Sequence, residues 1–361
     1  PPLSKKYLLG EIDLERLYIR PHKFYSDYEI NLILSTQISK INTSEKLVYY
    51  GNQSSNYDHL AFTTGSTPRK LPKEITRGLK NIFYIRSIDD VNHMASLLAK
   101  GKKALIIGGG YIGLEAAAVC RKLEVNVTLI EMSDRILNRV SSPETADYFR
   151  KVHQDNGVKI LESTTLKSFI GDKEVTGAIL QDGSKVSADM IIVGIGILPN
   201  DSLASNAGIE IENGIKTNAF GQTSNENIWA AGDCASFLLD KNYIRLERVQ
   251  NAIDQAEVVA ENMLGSNKAY NPSPWFWSDQ YNIKLQIAGL NIGYDQVIVR
   301  NNIKDMSLSH WYFRLGKLIS VDAINDPRSY MIGKRIIESD KLVSPKNISD
   351  INYDLKKLLH S

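Results

Sequence analysis

The sequence predicts an α/β fold with more than one domain, and three observations lead to this prediction. A chain of 361 residues is long for a single hydrophobic core. Between residues 104 and 131, an apolar strand, a glycine cluster, a helical pattern and a second strand follow one another, which is the order of a βαβ unit. After Pro274, alternating segments at residues 285–289, 297–300 and 308–314 are instead typical of an antiparallel sheet.

Composition and charge exclude several classes of protein. The chain is 43% hydrophobic and 23% charged, and its formal net charge is only +2. Because no dense run of lysine or arginine occurs, nucleic acid is not an expected partner. The most apolar segments, such as residues 190–198, are too short to cross a bilayer, so no membrane contact is expected either.

Cysteine and histidine usage gives no indication of a metal site. The chain has only two cysteines, Cys120 and Cys234, and they form no CxxC motif. The six histidines show no spacing typical of metal ligands, so neither a zinc site nor a disulfide framework is expected. This cysteine usage favours a reducing compartment and a cytoplasmic location.

The glycine cluster predicts a dinucleotide-binding turn. Gly108 permits the tight turn out of the preceding strand, and Gly110 lets the backbone approach a pyrophosphate. Gly113 lets the helix predicted at residues 111–123 pack closely against that strand. The N-terminus of this helix then presents its N–H groups and the positive end of its dipole to the phosphates.

Glu131 indicates which dinucleotide binds. It follows the second strand of the unit, predicted at residues 127–130, at the distance from the glycines that this motif requires. A carboxylate here accepts hydrogen bonds from the ribose hydroxyls and repels a 2′-phosphate, so NAD is favoured over NADP. Arg135 is close enough to weaken this inference, although a solvated surface arginine explains it better.

Two further turns carry residues suited to ligand binding. A strand at residues 227–231 leads into Gly232 and Asp233, where a short carboxylate can bind a polyol. A turn rich in small residues, 63–69, follows a strand at residues 60–62. Neither turn identifies a ligand by itself, since Gly-Asp and Thr-Gly turns are common.

Taken in order, these motifs resemble the ferredoxin reductase family. Its members are FAD-containing, NADH-dependent reductases of the rubredoxin and putidaredoxin type, which supply iron–sulfur proteins in dioxygenase and cytochrome P450 systems. The most specific segment is the tryptophan-rich string at residues 274–281. The matching segments are residues 1–5, 64–65, 68–69, 84–86, 108–115, 131, 193–196, 199–200, 232–234, 249–252, 255 and 274–281.

The resemblance implies a role for each matching residue. Lys5 would lie beside the isoalloxazine, Asp233 would bind the ribityl chain, and the helix beginning at Val249 would direct its N-terminus at the flavin. Lys5, Glu115 and Trp277 are the implied catalytic residues, with Trp277 as an aromatic wall or electron exit. Glu115 and Gly196 would border the nicotinamide. The implied FAD contacts are Lys5, Ile38, Thr64, Gly65, Arg86, Asp233, Val249 and Trp277, and the implied NAD contacts are Gly108, Gly110, Tyr111, Ile112, Gly113, Glu131 and Gly196.

The resemblance also implies a domain plan of two Rossmann-like domains followed by an α+β domain. An FAD-binding domain would comprise residues 1–87 and 206–272, an NAD-binding domain residues 88–205, and a C-terminal domain residues 273–361. The family begins with its own strand–GxGxxG–helix unit for the ADP half of FAD, whereas this sequence contains a single GxGxxG. We therefore expect that the first βαβ unit and the true N-terminus are absent, which leaves FAD retention by this chain open.

The implied activity is the transfer of electrons from NADH through FAD to a [2Fe–2S] ferredoxin or a rubredoxin, by a monomer or weak dimer. A pyridine nucleotide–disulfide reductase or NADH oxidase is an alternative, but residues 1–5 and the short segment after Pro274 argue against it. An interaction protein like the apoptosis-inducing factors, which bind nucleic acid through basic surface, is a second alternative. The mild net charge argues against this alternative.

Overall fold

The computed structural model describes residues 3–239, 242–302 and 307–360, so Pro1 and Pro2 of the N-terminal motif lie outside the described residues. The chain divides into two compact units. The first unit consists of Pro1–Asp13, Pro68–Gly196 and Ser273–Ser361, and the second consists of Leu14–Thr67 and Ile197–Pro272. Within the described ranges, no helix is long and apolar enough to cross a membrane.

The first unit contains a five-stranded parallel sheet, here called the nucleotide sheet. Its inner strands are mostly apolar and buried, as expected where helices cover a parallel sheet. In spatial order the strands are Ile82–Phe83, Met190–Val193, Lys103–Ile107, Asn126–Ile130 and Lys159–Leu161. The helices of this region are Lys73–Thr76, Ile88–Ala95, Tyr111–Lys122 and Pro143–Asp155, and a small antiparallel sheet contains Leu166–Gly171, Val175–Leu180 and Lys185–Ser187.

The first unit also contains a five-stranded antiparallel sheet, here called the C-terminal sheet. Its strands, in spatial order, are Trp275–Gln280, Ile283–Gly289, Lys317–Ile324, Ser307–Arg314 and Gln296–Asn302. The helices Pro327–Glu338 and Pro345–Ser349 and the 3-10 turn Leu355–Leu359 follow. One hydrophobic core joins this sheet to the helix Tyr111–Lys122, because Leu285 and Ile287 belong to the same buried cluster as Leu114 and Ala117.

The second unit is built from short strands and one long helix. Leu60–Phe62 and Ile228–Ala230 pair in parallel, and they bury Phe62 and Ile228 in a common core. The antiparallel strands are Lys40–Asn42, Leu47–Tyr50 and Gln53–Asn56, and a further sheet contains Ile215–Thr217, Ala235–Leu239 and Asn242–Ile244. The remaining elements are Leu14–Leu17, His22–Asp27, Ser66–Pro68, Ile197–Pro199, Ser202–Asn206, Gly232–Cys234 and Val249–Met263.

Two elements that the sequence predicts form differently: a strand from the apolar run at residues 30–34, and a closing helix at residues 350–359. Residues 30–34 are apolar but do not form a strand, and their side chains are exposed. A strand needs a hydrogen-bonding neighbour, and the described residues provide none beside this segment. The closing helix expected at residues 350–359 is a 3-10 turn over Leu355–Leu359, because Asp350 is extended and ends the preceding helix.

The division into units differs from the implied domain boundaries in three segments, residues 1–13, 68–87 and 197–205. Ile82–Phe83 is an edge strand of the nucleotide sheet and pairs with Met190–Val193, so residues 68–87 belong to the first unit. The helix Ser202–Asn206 buries Ala204 in the core of the second unit. The assignment of three domains stays a prediction.

Candidate functional site

The glycine turn is shaped by contacts that no side chain could share. Gly108 has a φ of +107°, and a Cβ at this position would lie 2.3 Å from the carbonyl oxygen of Gly194. A Cβ at Gly113 would lie 2.1 Å from the carbonyl oxygen of Gly108. Gly108 is therefore required by its close approach to the residue that follows the strand Met190–Val193, and Gly113 by the packing of the helix against the glycine turn.

Gly110 leaves open space at the start of this helix, which we call the glycine helix (Tyr111–Lys122). Gly110 is the N-cap residue, and among the described atoms, apart from those of Gly110 and its two chain neighbours, none lies within 4 Å of the point where its Cβ would be. No side chain of the described residues caps the helix. An anion can therefore approach the first-turn N–H groups, so this end of the helix fits a pyrophosphate.

Glu131 is fixed at the end of the strand Asn126–Ile130. Its Oε2 accepts a hydrogen bond from the Gly109 N–H at 2.7 Å, and its Oε1 accepts one from the Ser133 N–H at 2.8 Å. Each carboxylate oxygen can accept a second hydrogen bond. The side chain is thus oriented by the glycine turn and still has capacity for the hydroxyls of a ribose.

Lys5 and Glu115 form a largely buried ion pair. Lys5 lies in the π-helical turn Leu3–Tyr7, and its Nζ is 2.8 Å from Oε1 of Glu115. Only 19% of the Lys5 side chain and 9% of the Glu115 side chain are exposed. The same Oε1 accepts a hydrogen bond from the Ser278 hydroxyl at 2.6 Å. The structure thus brings together two of the implied catalytic residues.

The glycine helix and the strand Trp275–Gln280 match in spacing. The ring of Tyr111 contacts that of Phe276, with centroids 4.8 Å apart, and one helical turn later Glu115 meets Ser278. Four helical residues rise about 6 Å and two strand residues about 6.8 Å, so positions four apart on the helix face positions two apart on the strand. Sequence reasoning did not assign a role to Ser278.

The remaining implied residues of the first unit lie on several different elements. Trp277 stacks on Trp275 with ring centroids 5.4 Å apart, on the strand face opposite to Ser278. Gly196 has a φ of +102°, and Arg86 is exposed just before the helix Ile88–Ala95. Ile112 is exposed in the first turn of the glycine helix.

In the second unit, Asp233 lies at the carboxyl end of the parallel strand pair. It follows Ile228–Ala230, and its Oδ2 accepts a hydrogen bond from the Ser66 hydroxyl at 2.8 Å. Ser66 directly follows Gly65, whose φ of +65° suits glycine. Thr64 donates its hydroxyl to the carbonyl oxygen of Asn200 at 2.6 Å. Asp233 and the Thr64–Gly65 turn therefore come together, as the motif order implies.

The long helix Val249–Met263 contributes buried donors that lack acceptors. Gln255 accepts a hydrogen bond from the Gly232 N–H at 2.9 Å, which fixes its Oε1. The Nε2 of Gln255 and the Nδ2 of Asn251 are buried without a partner among the described residues. An unsatisfied buried donor costs about 1–3 kcal/mol, so this region fits a polar ligand that supplies acceptors, as FAD does. Val249 begins the helix and is 43% exposed, whereas Ile38 packs against the core.

Comparisons with known proteins show the family to which the chain belongs. The family model described as pyridine nucleotide-disulphide oxidoreductase matches residues 1–256, and the one described as reductase C-terminal matches residues 275–359. A ferredoxin–NAD(P)+ reductase of a Sphingomonas species is 40% identical over 99% of this chain and 88% of its own length. Putidaredoxin reductase of Pseudomonas putida is 36% identical over 99% of this chain and 87% of its own length.

A solved structure has a similar fold. The crystal structure of the covalent putidaredoxin reductase–putidaredoxin complex contains a chain that is 36% identical to this one, with a TM-score of 0.96. The alignment covers 100% of this chain and 88% of that chain.

Proposed function

Because the chain belongs to the FAD-dependent ferredoxin reductase family of pyridine nucleotide-disulphide oxidoreductases, we propose that it passes electrons from NADH through FAD to a small iron–sulfur protein. Its cofactors are FAD and a pyridine nucleotide. The observation that carries the proposal is the ion pair of Lys5 and Glu115. It joins a lysine implied beside the flavin to a glutamate implied beside the nicotinamide.

The residues that the resemblance implies would hold the cofactors. Flavin supplies the chemistry of accepting a hydride and releasing its two electrons singly. Asp233 and the turn at Thr64 and Gly65 would hold the ribityl region, and the N-terminus of the helix at Val249 would favour negative charge on the ring. Lys5 would add positive charge, and Ile38, Arg86 and Trp277 are further proposed FAD contacts.

The nucleotide would bind along the glycine turn. Gly108, Gly110 and Gly113 would admit the pyrophosphate to the first helical turn at Tyr111 and Ile112, and Gly196 would border the nicotinamide. Glu131 would accept hydrogen bonds from the ribose, which supports NADH over NADPH. Glu131→Ser should therefore lower the ratio of kcat/KM for NADH to that for NADPH.

The proposed electron acceptor is a [2Fe–2S] ferredoxin or a rubredoxin, as the names of the relatives suggest. Neither cysteine of the chain is suited to thiol chemistry, since both are buried and burial raises the pKa of Cys120 to about 12. This argues against a disulfide reductase that uses these residues. Free thiols at both positions also support the proposed cytoplasmic location.

An anaerobic titration of the FAD-loaded protein with NADH tests the proposal. We expect the visible absorbance of oxidised flavin to fall, and to return when an oxidised [2Fe–2S] ferredoxin is added. Gly110→Asp is the matched control, because a cap carboxylate stabilises the helix but repels a pyrophosphate. This variant should keep its flavin and lose roughly tenfold or more in NADH affinity. Flavin in the unaltered protein that stays oxidised in excess NADH would overturn the proposal.

A further inference from the structure

A chain of hydrogen bonds extends from Glu115 into the interior of the first unit. The Ser278 hydroxyl bonds to Oε1 of Glu115 at 2.6 Å, and the Gln280 amide Nε2 bonds to the Ser278 hydroxyl at 3.1 Å. The Gln280 Oε1 is 2.7 Å from Nε2 of His153, and Nδ1 of His153 is 3.1 Å from the Tyr281 hydroxyl. The chain therefore links the Lys5–Glu115 pair to a histidine on the helix Pro143–Asp155.

The carboxylate of Glu115, at the end of this chain of hydrogen bonds, determines which group donates in each bond. A carboxylate only accepts, so Ser278 donates to Glu115 and must itself accept from the Gln280 amide. The Gln280 Oε1 then accepts from His153, which therefore carries its proton on Nε2. Burial lowers the pKa of His153 to about 4, so the ring is neutral and Nδ1 accepts from Tyr281.

All the bonds therefore point in one direction. Each donation, from Tyr281 through His153, Gln280 and Ser278, leads toward Glu115, and hydrogen bonds polarised in one sense strengthen one another. Ser278, Gln280 and His153 are each no more than 1% exposed. Burying a series of polar side chains this deeply costs more free energy than burying apolar side chains of equal volume, unless every polar group has a hydrogen-bond partner. Its bonds serve the one carboxylate that also holds Lys5.

We propose that Ser278, Gln280 and His153 are positioning residues that hold the Glu115 carboxylate in the orientation that fixes Lys5. This proposal rests on the proposed function, in which Lys5 lies beside the flavin. Without the Ser278 hydroxyl, Glu115 loses its second donor and can take other rotamers, and Lys5 moves with it. Binding of NADH should change little, because the glycine turn and Glu131 make no bond to this chain of residues in the described contacts.

Ser278→Ala and Ser278→Thr form the test pair. We expect Ser278→Ala to lower the rate constant for flavin reduction at saturating NADH roughly 10- to 100-fold, since small misplacements of catalytic groups have effects of this size. The Kd for NADH should stay within about threefold of the original value. Ser278→Thr keeps the hydroxyl and should restore the rate. His153→Leu should act like Ser278→Ala, whereas His153→Gln retains a donor at the position of Nε2.

His310→Leu is the matched control. His310 is equally buried in the same unit, but its ring Nδ1 bonds to the Thr145 hydroxyl and not toward Glu115. His310→Leu should therefore lower the midpoint of thermal unfolding and leave the rate of flavin reduction unchanged. Equal rates for Ser278→Ala and the unaltered protein would overturn the proposal while leaving the proposed function intact. If NADH reduces no flavin in the unaltered protein, the proposed function itself fails.

A measurement on the unaltered protein does not depend on any variant folding. Nitrogen-15 NMR of labelled histidine distinguishes the two neutral tautomers. We expect His153 to be the Nε2–H tautomer between pH 6 and 8, roughly the range in which an ordinary histidine titrates. The Nδ1–H tautomer would reverse the Gln280 amide and remove the donor to Ser278, which would overturn the proposal even if the variants were too unstable to study.

Discussion

His153 and His310 are both completely buried in the first unit, yet they belong to two different kinds of polar network. Burial lowers the pKa of each to about 4, so both rings are neutral at pH 7. The network of His153 ends on Glu115, whose other partner is the lysine of the candidate site. The network of His310 ends on Asp322, a carboxylate without solvent exposure.

The Asp322 network connects the start of the helix Pro143–Asp155 to two strands of the C-terminal sheet. Three hydroxyls donate to Oδ2 of Asp322: that of Ser141 at 3.0 Å, that of Thr145 at 2.9 Å and that of Tyr312 at 2.5 Å. Because the Thr145 proton goes to Asp322, His310 must donate from Nδ1, which is the opposite tautomer from that of His153. The comparison teaches that burial and neutrality do not reveal a histidine's role, whereas the group at the end of its network does.

The largest expected effect is a loss of stability when the Asp322 network is broken. Asp322→Ala leaves three buried hydroxyls without their acceptor, so we expect the free energy of unfolding to fall by roughly 3 kcal/mol or more. Denaturant titration measures this loss, and Asp322→Asn, which keeps one acceptor oxygen, should lose less. Flavin reduction by the folded fraction should be unchanged. A marked loss of that rate would place Asp322 in the chemistry of the site and end the distinction.

Acid should destabilise the protein through both histidines. The pKa of each is about 4 in the folded protein and about 6.5 when unfolded, so below pH 6.5 only the unfolded chain takes up the proton. Stability is therefore complete above pH 6.5 and is lost as the pH falls toward 4, by up to about 3 kcal/mol for each histidine. His153→Gln and His310→Gln should each reduce this loss of stability in acid by the contribution of one histidine. Denaturant titrations at pH 7 and pH 4.5 that give the same acid dependence for a variant and the unaltered protein would contradict the assignment.

The variant Ser142→Ala should have a smaller effect, which is confined to the Asp322 network. Ser142 is the N-cap of the helix Pro143–Asp155; its Oγ accepts from the Thr145 N–H and lies 3.2 Å from the Tyr312 hydroxyl oxygen. Ser142→Ala should lower the free energy of unfolding by about 1 kcal/mol, the usual value of an N-cap. Stopped-flow flavin reduction should not change, in contrast to Ser278→Ala. Equal rate losses for the two serine variants would mean that both serines act only through stability.

The smallest effect is expected at the outer end of the His153 network. The Tyr281 hydroxyl bonds to Nδ1 of His153 at 3.1 Å, and burial raises the pKa of Tyr281. Tyr281→Phe keeps the ring contact with His153 and removes only this bond, so stability should fall by about 1 kcal/mol or less. The rate of flavin reduction should change by less than about twofold, because the bonds nearer Glu115 remain. A larger loss of rate for Tyr281→Phe than for Ser278→Ala would contradict the assignment of Tyr281 as the donor farthest from Glu115.

The sequence predicted the parts of the fold that depend on local pattern. The helix expected at residues 111–123 forms at Tyr111–Lys122, and the strand expected at residues 104–107 forms at Lys103–Ile107. Both have strong local signals, namely an unbroken apolar run and glycines at fixed spacing. Residues 30–34 have a strand-like composition too, but a strand also depends on a neighbour that local pattern does not supply.

The candidate site was predictable only in part for the same reason. Glu115 and Lys5 were identified through the resemblance, and the residue types at these positions did not by themselves indicate an ion pair. Gln280 and His153 are 127 positions apart in the chain, so their bond depends on the packing of a helix against a strand. One signal was present: strand alternation places Ser278 and Gln280 on one face and Trp277 on the other.

That alternation has a consequence for how the protein can change over evolutionary time. The strand Trp275–Gln280 lies at one edge of the C-terminal sheet, with Trp275 and Trp277 on one face and the polar pair on the other. A deletion or insertion of a single residue within it would exchange the faces, moving the indoles into the polar interior and the serine outward. We therefore expect point substitutions to be tolerated here far more often than changes of length.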